Sequence, residues 1–131
     1  MSSIQAERGV MHVVRATDEI AVLCLEGEFD MANASRIVDE GECIFGDGKH
    51  LIVDLSGVTF IDSSVVGALF QVAMRATDRQ RVAVMQFGTV AIVERVIELM
   101  QVDQVLARAK TRSEAIHTVE QLERRSSRGA R

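Results

Sequence analysis

Residues 51–69 read LIVDLSGVTFIDSSVVGAL, and the fold turns on a change of period inside this stretch. Residues 51–55, LIVDL, are a short aliphatic run of the kind that forms a strand. After Phe60 and Ile61 the pattern changes. From Asp62 onward Val65, Val66, Leu69, Phe70 and Ala73 recur at helical spacing, one apolar stripe on a helix. Asp62, Ser63 and Ser64 stand at the junction.

Working outward toward the N-terminus, residues 10–16 and 20–27 are rich in β-branched and aliphatic residues. Thr17, Asp18 and Glu19 separate them, which predicts a hairpin. The second run contains IAVLCL without a polar break, so both its faces are expected to be covered, at the centre of a sheet. From Met31 the period is helical, with Ala34, Ile37, Val38, Gly41, Ile44 and Phe45 on one face and Asp30 placed to cap it. Asp47-Gly48 then breaks the chain before the strand of residues 51–55.

Toward the C-terminus, Arg75, Asp78, Arg79 and Arg81 lead into a strand over residues 82–87. Thr89 opens a further helix with Val93, Val96, Ile97 and Met100 inward, and a short strand is predicted at 105–107. Thr111 and Glu114 have capping-box spacing and introduce a last helix to about Glu123. Strands alternating with helices imply right-handed crossovers. The predicted class is α/β: one mixed sheet of four or five strands, an antiparallel N-terminal hairpin followed by largely parallel strands, packed by about four helices.

At 131 residues the chain is long enough for one core, with no internal repeat or linker. Residues 10–124 are expected to form the domain, flanked by a flexible N-terminus at 1–9 and a flexible basic tail at 125–131. Without Trp or Tyr, and with five Phe, the core must be mostly aliphatic. The net charge of −4 argues against a nucleic-acid binder. No run reaches the roughly 20 apolar residues that cross a bilayer, and the start carries no apolar signal core, so a cytoplasmic location is expected and no membrane partner. Cys24 and Cys43 lack CxxC spacing and read as small buried hydrophobes. His12, His50 and His117 lie far apart, so neither a metal nor another cofactor is expected.

The best-formed local site is the helix start at Asp62, where free amides and the positive dipole end stabilise an anion. Locally, Asp62 is an ordinary cap and Ser63 and Ser64 ordinary first-turn residues. A catalytic serine fits poorly, because the stretch is not a G-x-S-x-G elbow and nothing brings His50 or His117 to it. No phosphate-binding G-x-x-x-x-G-K-[ST] loop is present. Glu26 and Glu28 share a strand face and read as a solvent-facing pair, while Ser56 and Thr59 read as turn hydroxyls beside Gly57.

The segment at 51–69, together with EGEFD at 26–30, resembles the STAS domain of bacterial anti-sigma factor antagonists. In that family a Gly-Glu-Leu-Asp-like stretch ends an early strand, and Asp-Ser-Ser or Asp-Ser-Gly follows a strand and opens a helix. The likeness spans about residues 10–120. It implies a switch and not an enzyme. An anti-sigma factor with serine-kinase activity would phosphorylate Ser63, with Ser64 as second choice, and a serine phosphatase would reverse it. The unmodified protein would bind the anti-sigma factor and free a sigma factor. The resemblance also implies a partner surface at Asp30, Asp62, Ser63, Ser64, Val65 and Val66. One departure stands out, since many antagonists have Gly where this chain has Val65, with Gly67 two residues on. A β-branched residue there leaves open a rival reading, an unphosphorylated STAS scaffold in a larger signalling or transport assembly. A nucleotide-binding module is a third, unsupported by any motif.

Overall fold

The computed structural model describes residues 9–129. Its elements run β1 (Gly9–Arg15), β2 (Ile20–Phe29), α1 (Ala34–Gly46), β3 (His50–Ile61), α2 (Ser63–Asp78), β4 (Ala83–Gln86) and α3 (Ala91–Leu99). A 3-10 turn at Val102–Gln104, β5 (Ala107–Ala109) and α4 (Arg112–Gly129) follow. The sheet has five strands in the order β1-β2-β3-β4-β5, with β1 antiparallel to β2 and the other pairs parallel. The predicted α/β class and mixed sheet are therefore the observed ones.

Sequential parallel strands joined by right-handed crossovers put every crossover helix on the same side of the sheet. That side holds the larger core, where Leu23, Leu25, Leu51, Val53 and Met85 meet Ile37, Leu69 and Ile97, all 0 or 1% exposed. Each such aliphatic side chain contributes roughly 1.5–3 kcal/mol by leaving water. α4 comes after the last strand and covers the other side. There Ala115 and Val119 pack on Val22, Cys24, Ile52 and Val84.

Several boundaries depart from expectation, each for a local reason. β3 continues past Leu55 to Ile61 because β2 runs on beside it to Phe29, through register shifts between Cys24 and Glu26 and between Gly27 and Glu28. Gly57 permits this approach, since a Cβ there would lie 2.9 Å from Glu26 Cγ. Ser56 and Thr59 thus belong to a strand and not a turn. α3 begins at Ala91 and ends at Leu99, and the chain then turns through Gln101 at φ 60°, which leaves Met100 47% exposed instead of inward. The 3-10 turn uses Val102–Gln104, so β5 falls at Ala107–Ala109, two residues later than predicted.

Thr111 Oγ1 accepts the Glu114 N–H at 3.1 Å, as its spacing predicts. α4 runs on to Gly129, so residues 125–129 are helical beyond the end expected near Glu123. Residues 1–8, most of the expected flexible N-terminus, and residues 130–131 lie outside the described residues. Cys43 is exposed, contrary to expectation, because it sits off the buried stripe of α1, whereas Cys24 is buried. Among the described residues no helix is long and apolar enough to cross a membrane.

Candidate functional site

The ladder between β2 and β3 ends at the pair Phe29 and Ile61. Asp30 and Asp62 are therefore the first residues to leave two adjacent parallel strands at the same end of the sheet. Two acids separated by 32 positions are brought to one rim by register alone. Phe29 and Ile61 themselves are buried, which pins both departures.

The two acids act differently on the backbone. Asp62 is the N-cap of α2, in extended conformation, and its Oδ1 accepts the Ser64 N–H at 2.9 Å and the Val65 N–H at 3.2 Å. Its carbonyl accepts from Val65 and Val66 at 3.1 and 3.2 Å. Asp30 makes a turn instead of the predicted cap. Its Oδ1 accepts the Ala32 N–H at 2.9 Å, and its own N–H donates to Asn33 Oδ1 at 2.9 Å. Asn33 is the residue before α1, which is why that helix starts at Ala34 and not Met31.

Ser63 is exposed at the first position of α2, and Ser64 is half-buried. Ser64 lines a groove of about 340 Å³ between α1 and α2, shared with Met31, Val38, Ala68 and Arg75. Val65 and Val66 are 0% and 2% exposed. Their place in the expected partner surface is corrected: both point into the larger core, as their positions on the apolar stripe require. The methyl groups of Val65 consequently face away from anything that docks on Ser63.

This arrangement offers an accessible hydroxyl at the positive end of a 16-residue helix. His50 opens β3 while Ser63 follows its end, so the whole strand separates them, and His117 is on α4 across the sheet. Among the described residues no group of His, Cys, Asp and Glu has the arrangement of a metal site. Exposed apolar side chains adjoin the rim: Met31 is 79% exposed, Phe60 46% and Ile92 63%. Phe60 and Ile92 share a cleft of about 100 Å³ with Val96. The sequence reading did not assign these three to the site.

A second polar cluster, also missed, lies under the start of α4. Arg112 donates from Nε to Gln86 Oε1 and from a terminal nitrogen to Asp54 Oδ2, both at 2.7 Å, while Asp54 Oδ1 accepts the Ser56 N–H at 2.8 Å. Asp54 and Gln86 are buried. Burial and the Asp54 carboxylate push the neighbouring Cys24 thiol up, against the opposing pull of Arg112. At the other end of β3 the buried His50 accepts the Val82 N–H on Nδ1, and its Nε2 lies 3.1 Å from Glu123 Oε2, off line for a hydrogen bond.

A protein-family model described as the STAS domain matches residues 12–121. Among solved structures, an anti-sigma factor antagonist from Mycobacterium paratuberculosis aligns with TM-score 0.75 and 22% identity, over 86% of this chain and 94% of that one. The unphosphorylated form of the anti-sigma factor antagonist SpoIIAA aligns with TM-score 0.70 and 21% identity, over 85% and 96%. The phosphorylated form of the Bacillus cell fate determinant SpoIIAA gives TM-score 0.64 and 20% identity, over 84% and 99%. At these identities the likeness is one of fold. No curated protein sequence matches the chain.

Proposed function

The chain belongs to the STAS domain family, and from that membership we propose that it is an anti-sigma factor antagonist whose docking is switched off by phosphorylation of Ser63. The observation that carries the reading is the exposed Ser63 hydroxyl directly after a cap whose carboxylate is already bound by two backbone amides. Because Asp62 occupies those amides, an added phosphate remains outside, at the tip of the helix. The dipole still favours it there, so the fold tolerates the charge.

The cost falls on docking. A surface that packs on a neutral hydroxyl would have to desolvate a group of about −1.5 to −2 charges beside Asp62 and Asp30. A penalty of about 2.7 kcal/mol weakens binding about a hundredfold. Asp30, Asp62, Ser63 and Ser64 form the polar part of the proposed contact, with Met31 and Phe60 as apolar anchors. The partner is an anti-sigma factor with serine-kinase activity, opposed by a serine phosphatase, and the site of action is the cytoplasm. The scaffold reading drew on Val65, and the burial of that side chain leaves it without a specific support.

The test is incubation with an anti-sigma factor of the serine-kinase class and ATP, followed by phosphopeptide mapping. Label on Ser63 that disappears in Ser63→Ala is expected. Label unchanged in that variant, or found only on Ser64, overturns the assignment. Ser63→Glu should bind the anti-sigma factor about a hundredfold more weakly than wild type.

A further inference from the structure

The sheet ends in two unlike edges. β5 spans only Ala107–Ala109, and its Arg108 is engaged by Glu94, Glu98 and Asp103. β1 runs seven residues, GVMHVVR, and leaves Val10, Val13 and Val14 at 47%, 47% and 38% exposure. A long edge with β-branched side chains and no proline or lysine is open to strand addition.

The outward-facing backbone groups follow from the hairpin. The Ala16 N–H donates to the Ile20 carbonyl at 2.9 Å, and the register from Arg15 opposite Ala21 to Gly9 opposite Gly27 has no shift. Antiparallel alternation then turns the amides of Val10, His12 and Val14 toward β2, and those of Gly9, Met11, Val13 and Arg15 away from it.

The geometry points to a homodimer in which β1 pairs antiparallel with β1 of a second copy about a two-fold axis at His12. In this register Met11 meets Val13 and Gly9 meets Arg15, so every bonded pair joins groups that face outward. Val10 meets Val14 on one side of the joined sheet, and Met11 meets Val13 on the other. Moving the axis to Met11 leaves Val14 without a partner in the strand, and moving it to Val13 sets Met11 against Arg15. Only the His12 register pairs apolar with apolar on both sides and places the single formal charge of the strand opposite glycine. A strand complementary to itself selects a second copy of this chain, and the two-fold axis closes the assembly. Ser63 of both copies stays open, because it lies beyond the end of β3 and not beside the edge.

The contact is small, about eight backbone hydrogen bonds and a few valines, so the dimer is weak and concentration-dependent. Sedimentation equilibrium of the full chain from about 10 µM to about 1 mM should show reversible monomer and dimer. Val13→Pro removes an outward N–H without touching the ladder to β2 and should weaken association about tenfold or more. His12→Lys sets two ammonium groups face to face at the axis and should weaken it similarly, less so at high salt. Amide exchange should slow with concentration at Met11 and Val13 but not at Val10, His12 or Val14. A monomer throughout the range, or a dimer that survives both substitutions unchanged, overturns the proposal. Should circular dichroism show Val13→Pro unfolded, His12→Lys and the wild-type exchange pattern decide.

Discussion

On one face of the sheet three crossover helices press aliphatic side chains into a continuous apolar layer, while on the other a single helix is held by fewer apolar contacts and two polar ties. Arg112 fastens the start of α4 to Asp54 and Gln86, whereas Glu123 further along lies beside buried His50 without a hydrogen bond to it. The contrast shows that the first face is stabilised by area and the second by a few directional contacts. Helix α2 stands on the first, so a charge added at its exposed tip, as in the proposed modification of Ser63, is expected to leave the packing beneath it intact.

Perturbing each face tests the contrast, beginning with the largest effect. Leu69→Ala opens a cavity under α2 and should cost about 3 kcal/mol, read as a lower midpoint in urea at unchanged slope. Arg112→Met strips the guanidinium from the buried Asp54 and should cost about 1–2 kcal/mol, discounted because Arg112 is itself partly exposed. Adding Asp54→Asn, which keeps an acceptor for the Ser56 N–H, should recover part of that loss. If Arg112→Met cost as much as Leu69→Ala, the two faces would not differ in kind. Ser63→Glu and Glu123→Gln should each move stability by less than about 0.5 kcal/mol, since both sites are solvent-accessible.

The smallest effect is on the thiols. Cys43 should react with a disulfide reagent in the folded protein and Cys24 only on unfolding. Because burial raises the Cys24 thiol above its ordinary 9.0, the unfolded chain loses that proton first as pH rises. Its contribution is full below pH 9.0 and declines above it, a trend that melting scans at increasing pH would follow and that Cys24→Ala would flatten.

The architecture was legible wherever period decided it. The stripe Val65, Val66, Leu69 declares α2, and the same stripe already implied that these valines face the core and not a partner. Cys43 likewise lies off the stripe of α1 in the sequence itself. Other features carry no such mark. Asp54 and Arg112 are 58 positions apart and meet only because α4 folds back over the sheet. Asp30 has the same residue type and the same place after a strand as Asp62, yet Asn33 captures its amide and makes a turn of it. The last turns of α4, rich in Arg and Ser, lack an apolar stripe to announce them. Ser63 and Ser64 could be named as a pair from sequence, and exposure distinguishes them.

The strand order has one more consequence, for how the molecule comes into being. Every strand lies beside its neighbour in the chain, so the hairpin closes a tight turn, each parallel pairing closes one helical crossover, and none waits for a segment beyond the next strand. The growing polypeptide can therefore add strands in the order they are synthesised. α4 follows all five, and until it has emerged Val22, Ile52 and Val84 stay bare to water, the interval in which a nascent chain is most open to chaperones and to aggregation.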